Sequence, residues 1–224
     1  SRGAISEKIA NDTEVLEQNE SESTKTYALI IATNEYNEEQ QNWSNLKNPI
    51  NDAHSISELL ETKYNANTIK IYNESKEHII NGIIELKESI GKNDKLIVFI
   101  AGHGYYSNEL SQGYIVTSDS ASLNDDVTLN TYLPMSTLNN LLDGFICKPI
   151  FTILDICYGS SFEIYNQDLA IENYNNTEFD NGVEDFIDKT DESYARIMLA
   201  SGEGEVPDFW NNSLDHSPFA SKLI

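Results

Sequence analysis

A histidine set between two glycines, Gly102-His103-Gly104, is poorly placed for core packing. The glycines let the chain turn sharply and leave the neighbouring amides uncovered. Cys157 follows His103 by 54 residues. Alone, a cysteine after an aliphatic run is commonly just a small buried hydrophobe. Together, the two residue types open a specific chemistry. An imidazole beside a thiol favours thiolate and can later return a proton to a leaving amine, which is what a cysteine hydrolase needs. Two carboxylates accompany the pair: Asp155, two residues before the cysteine, and Asp52 in Asn51-Asp52-Ala53. In the first turn of a helix an aspartate is favoured by the helix dipole, an ordinary explanation for Asp52. Asp155 closes an aliphatic run and has no such explanation.

These side chains are useful only if the chain brings them to one place. Residues 27–33 and 95–101 are continuous apolar runs, the pattern of strands buried on both faces. Residues 67–72, 149–154 and 194–200 supply three more strands. Between them a helix opens at Pro49, with Ile56, Leu59 and Leu60 at helical spacing. A second helix, over 76–90, carries Ile79, Ile80, Ile83, Ile84 and Leu86 and is closed by Gly91. The Gly- and Tyr-rich stretch that runs to about residue 118 predicts a hairpin or ordered loop. Residues 136–142 and 217–224 read as helices. This alternation predicts an α/β fold on a mainly parallel sheet, with helices packed on it. Ligands bind beyond the carboxyl ends of such strands, where His103 and Cys157 fall. The strands that precede them are expected to be neighbours.

Length and charge bound the rest. At 224 residues and 25.2 kDa the chain is one domain, residues 26–224, behind a flexible acidic lead-in or linker at 1–25. Acidic residues outnumber basic ones 37 to 14, for a net charge of -23. That field repels a phosphate backbone, so nucleic acid is excluded as the main partner, and a basic substrate is attracted. Like-charged copies also repel, which fits a monomer. No apolar run reaches the length of a membrane span, so no membrane partner is expected. Two cysteines, Cys147 and Cys157, are too few for a disulfide framework; free thiols in the cytoplasm are expected, with Cys147 structural. Residues 166–192, rich in Asn, Asp and Glu, form an acidic loop too long for a simple connection, either functional or mobile.

The order of motifs resembles the caspase-like cysteine peptidases, and among them the metacaspase and bacterial orthocaspase branch. The resemblance is carried by the first strand, Asn51-Asp52-Ala53, Gly102-His103-Gly104 and Asp155-Ile156-Cys157. It continues in Ala200-Ser201-Gly202-Glu203-Gly204-Glu205 and His216-Ser217-Pro218-Phe219. A histidine about 50 residues before the cysteine is also the caspase spacing. The resemblance implies a three-layer α/β/α sandwich with Cys157 as nucleophile and His103 as acid–base partner. It implies backbone amides of Gly104 and Cys157 for the oxyanion, and it nominates no third orienting residue. It further implies a substrate pocket containing Asp52, Asp155 and Ser201. Caspases hold an aspartate side chain with arginine and a glutamine two before the cysteine; that position here is Asp155. Carboxylates there pair with arginine or lysine and repel aspartate. The implied activity is cleavage after basic residues, with a sensor domain or regulator as possible partner and no cofactor. A catalytically silent scaffold is the alternative, although such a domain usually lacks the histidine or the cysteine.

There are departures. Ile156 and Tyr158 flank the cysteine where metacaspases commonly carry serine and histidine, and Tyr158 reads as a packing or groove-lining residue. His54 and His78 read as solvated. His216 resembles a family position near the substrate groove, with a capping or loop role equally open. Lys189 is the only lysine or arginine between Lys148 and Arg196, which makes it the candidate for self-cleavage. Some metacaspases bind calcium through clustered aspartates, and Asp119, Asp125 and Asp126 lie in a comparable stretch. Carboxylates are so abundant here that a solvated acidic face is the favoured reading, with no metal site assigned.

Overall fold

The aliphatic runs form a five-stranded parallel sheet in the computed structural model, which describes residues 24–36, 43–147, 149–157, 196–202 and 215–224. In chain order the elements are β1 (Thr26–Ala32), α1 (Pro49–Tyr64), β2 (Asn67–Tyr72), α2 (Lys76–Ser89) and β3 (Lys95–Gly102). Then come β4 (Gly104–Ser107), β5 (Gln112–Ile115), β6 (Leu133–Pro134), α3 (Met135–Asp143), β7 (Ile150–Ile156), β8 (Arg196–Ala200) and α4 (Ala220–Leu223). The large sheet runs β2-β1-β3-β7-β8. The strands that precede His103 and Cys157 are therefore neighbours, as expected.

Alternation along each buried strand splits the core into two layers. Leu29, Ile31, Val98, Ile100 and Leu154 face one side and pack with Ile79, Ile83 and Leu86 of α2 and Leu138 and Leu142 of α3. Ile30, Ile97, Phe99 and Ile153 face the other and pack with Ala53, Ile56 and Leu60 of α1 and Ala220 of α4. The result is an α/β/α sandwich. Phe99 is fully buried at its centre, and truncating it to alanine removes about 3–5 kcal/mol of stability. Local chemistry sets the helix ends. Pro49 starts α1, and Asn65 closes it in the left-handed region at φ 51°. The Ser75 hydroxyl caps α2 by accepting from the His78 amide.

The Gly- and Tyr-rich stretch is a separate three-stranded antiparallel sheet, β4-β5-β6. Its third strand is two residues long and has no readable period. Behind it Tyr36, Tyr114, Val116, Leu129 and Tyr132 form a third cluster, joined by Trp43, Leu46, Tyr105 and Leu123. Strand β7 runs two residues further than its sequence suggests, so Asp155 lies within the strand and not after it. The last helix is shorter than the expected 217–224, because residues up to Phe219 are used to reach the site. Lys25 is tied to the sheet: its amide donates to Asp94 Oδ1 at 2.8 Å and its carbonyl accepts from Lys95. The acidic loop at 166–192, Lys189 and Tyr158 lie outside the described residues. Among the described residues no helix is long and apolar enough to cross a membrane.

Candidate active site

His103 is positioned by its backbone first. Gly102 ends β3 with φ 151°, a conformation that favours glycine. A side chain there would bring its Cβ to 2.8 Å from Tyr36 Oη and 3.3 Å from the Thr33 carbonyl. That Oη accepts the His103 amide at 2.8 Å and donates to Thr33 O at 3.0 Å, so one buried phenol bridges the ends of β1 and β3. The imidazole is held separately. Its Nε2 lies 2.8 Å from the Ser44 carbonyl, and its ring packs against Tyr36 and Trp43, with centroids 4.8 and 5.3 Å away. Trp43 is itself fixed by donating from Nε1 to Tyr132 Oη at 3.0 Å. A carbonyl only accepts, so Nε2 carries the hydrogen and, in the neutral ring, Nδ1 is the basic nitrogen.

Cys157 stands at the matching place on the next strand. Ala101 pairs with Asp155 and Gly102 with Ile156, so His103 and Cys157 are the first residues past the last paired positions of β3 and β7. The two segments touch through their backbones. A Cβ on Gly104 would lie 2.0 Å from the Cys157 carbonyl oxygen and 3.3 Å from its amide nitrogen, so this contact requires glycine. Neither cysteine forms a disulfide: Cys157 is half-buried, and Cys147 is buried in the core beside α3.

The two aspartates meet on one short segment. Asp52 sits in the first turn of α1 and is only 1% exposed. Its carboxylate also bonds beyond the helix. Oδ1 lies 2.7 Å from His216 Nδ1, and Oδ2 accepts the Ser217 amide at 3.1 Å. Asp155, 8% exposed, accepts from the Ser217 hydroxyl. That hydroxyl also accepts the Ala220 amide at 2.9 Å, which anchors the start of α4. Consecutive residues thus bind both carboxylates, one from a helix and one from a strand. Burial pushes the Asp52 carboxyl above its usual range, against the lowering effect of the Ser217 amide and His216.

The remaining candidates separate. Ser201 follows β8 and lies along the end of β7, its amide donating to Leu154 O at 2.9 Å and its hydroxyl to Ile156 O at 3.4 Å. His54 and His78 are exposed; the first meets Tyr72 edge-on, and the second lies near Glu74 and Ser75. Asp119, Asp125 and Asp126 do not gather round a common point. Asp119 accepts from the Lys76 amide and Thr117, Asp125 from Ser122, and Asp126 from the amides of Asn130 and Thr131. These bonds shape the loop between β5 and β6. Among the described residues no group of three or more histidine, cysteine or acidic side chains converges to hold a metal.

Three contacts have no signature in the residue pattern: the Ser44 carbonyl, the Tyr36 phenol and the double role of Ser217. A backbone carbonyl is the same at every position, so no sequence signal marks it. Ser217 lies in the His216-Ser217-Pro218-Phe219 segment, which the sequence does single out, although not for this purpose.

A family model described as a caspase domain matches residues 25–224. Among solved structures the chain is similar to protein GSU0716 from Geobacter sulfurreducens, with 17% identity and a TM-score of 0.50. The likeness covers 60% of this chain and 51% of that one, so this chain spans about half of that structure's length. At that identity it concerns the fold alone. A search of curated proteins returns no match.

Proposed function

From the premise that the chain belongs to the caspase-domain family of cysteine peptidases, we propose that it is an endopeptidase that cuts after arginine or lysine. His103 Nδ1 takes the Cys157 proton, and the thiolate adds to the carbonyl of the bond to be cut. The amides of Gly104 and Cys157 hold the oxyanion of the tetrahedral intermediate. As that intermediate collapses, imidazolium gives its proton to the departing amine, leaving an acyl-enzyme on sulfur. Water, deprotonated by the same nitrogen, then releases the carboxylic acid and restores the thiol.

The observation that carries this reading is the backbone contact between Gly104 and Cys157, which fixes the imidazole-bearing and thiol-bearing segments side by side. The Ser44 carbonyl supports it by leaving Nδ1 as the basic nitrogen. Specificity for a basic side chain is supported by Asp52 and Asp155 meeting on residues 216–217, with Asp155 two residues from the nucleophile. Ser201, alongside the same strand end, belongs to this pocket. The proposal extends to self-cleavage after Lys189 and to a cytoplasmic, monomeric enzyme governed by a regulator or sensor domain.

Fluorogenic peptides ending in arginine, lysine or aspartate, with and without calcium, test it. Release after arginine or lysine is expected. Release after aspartate overturns the pocket. No release from any peptide, together with a thiol inert to iodoacetamide, makes the domain a scaffold.

A further inference from the structure

The basic pocket contains a base of its own. A cation bound to Asp52 needs a carboxylate oxygen, yet Oδ1 already lies 2.7 Å from His216 Nδ1 and Oδ2 already accepts the Ser217 amide. Exposure separates the partners: Asp52 is 1% exposed, whereas the His216 side chain is 28% exposed. Solvent, and anything arriving through it, therefore meets the imidazole before the carboxylate. Ser217 carries the link onward to Asp155. A group entering to reach Asp52 disturbs a connected set of bonds rather than filling a vacant slot.

Building on the basic-pocket reading, we infer that His216 is a specificity-determining residue, a resident partner of Asp52 that the substrate's arginine or lysine side chain must displace. Two consequences follow from the competition. Apparent affinity for a basic side chain is reduced by the fraction of molecules in which the imidazole still occupies Asp52. A neutral side chain of similar shape offers the carboxylate no charge in exchange, so it leaves the His216–Asp52 contact closed and is rejected. Among the described residues, the charged groups that face His216 are Asp52 from α1 and, through Ser217, Asp155 from β7, with Asp215 preceding it along the chain. Imidazolium holds Asp52 by a charge-assisted bond and neutral imidazole by a weaker one.

The test is the KM and kcat of arginine-ended and aspartate-ended peptides at one pH in the wild type, His216→Ala and His216→Gln. In the wild type the arginine-ended peptide is expected to be preferred over the aspartate-ended one. With its resident partner gone, Asp52 is reached without displacement, so the arginine KM of His216→Ala is expected to be about threefold to tenfold lower than wild type, with His216→Gln between them and kcat little changed. An arginine KM left unchanged by His216→Ala overturns the inference. So does a higher KM for His216→Ala, which would mean that the imidazole aims Asp52 instead of occupying it. Arginine preferred over aspartate in all three proteins with the same KM removes the inference and leaves the basic pocket standing. Loss of that preference in the wild type removes the pocket reading itself.

Discussion

The imidazole of His103 and the carboxylate of Asp52 belong to the same proposed site but are held by different kinds of structure. His103 is fixed by what lies close to it in the sheet: neighbouring strands in register, a glycine on either side, the Tyr36 phenol and a carbonyl from the segment before α1. Asp52 is fixed by residues 164 and 165 positions away in the chain, on the approach to the last helix. The first half is a product of the central sheet and rigid with it. The second depends on a late segment docking onto two other elements. A site built in this way can keep its chemistry constant while its preference for substrate is adjusted through residues 216–217.

That contrast is open to mutation. The largest effect is expected for Cys157→Ala, which removes the nucleophile and lowers kcat by about 10³-fold or more. Intact mass of this variant beside the wild type also reads self-cleavage: a fragment ending at Lys189 must depend on Cys157. Next comes Gly104→Ala. Its Cβ cannot coexist with the Cys157 carbonyl at 2.0 Å, so the two backbones must part. A displacement near 1 Å costs about 10²-fold in kcat with little change in KM. On the carboxylate side the pattern reverses. Asp155→Asn is expected to raise KM for arginine peptides about tenfold or more while kcat falls less. Tyr36→Phe is milder: it leaves the His103 amide without its acceptor, for about 1 kcal/mol of stability by thermal melting and about a tenfold drop in kcat. If Gly104→Ala acted on KM and Asp155→Asn on kcat, the division into two halves would be wrong.

The smallest effects concern stability against pH, and here two buried aspartates have opposite signs. The Asp52 carboxyl is held above its usual range by burial. Its contribution to folding is therefore greatest at acid pH, below the unfolded value, and is lost as pH rises through the folded one. Asp52→Asn should gain in melting temperature relative to wild type as the solution is brought from acid to neutral. Burial also pushes Asp126 upward, but amides of Thr131 and Asn130 and hydroxyls of Thr131 and Thr128 outweigh it and hold that carboxyl low. Its contribution is present above the unfolded value and lost as pH falls through the folded one. Asp126→Asn should destabilise at neutral pH, with the deficit shrinking below about pH 4. Melting curves at several pH values check both.

The two halves also differ in how far the sequence discloses them. The aliphatic runs of β1, β3 and β7 give the sheet, and the neighbouring positions of β3 and β7 follow from those runs together with the family resemblance. Gly102, His103 and Gly104 are legible because glycine beside histidine is unusual. Asp155 is legible as a carboxylate in an apolar strand. Asp52 is ambiguous, since a first-turn aspartate satisfies the helix dipole without any partner, and only its bonds to residues 216–217 show that it does something else. The β4-β5-β6 sheet is half visible: the hairpin is expected, but a two-residue third strand and the aromatic cluster behind it emerge only from tertiary packing. The Ser44 carbonyl is invisible in principle, because it belongs to the backbone.

The most direct measurement is covalent. Peptide ketones that trap thiolates, identical except for a terminal arginine or aspartate, are incubated with the wild type and with Cys157→Ala, and the adduct is located by mass spectrometry. One arginine-type adduct on Cys157, absent from the variant and not formed by the aspartate reagent, is the predicted result. Labelling by the aspartate reagent instead, or an adduct on Cys147 with Cys157 untouched, would contradict a nucleophile flanked by an acidic pocket.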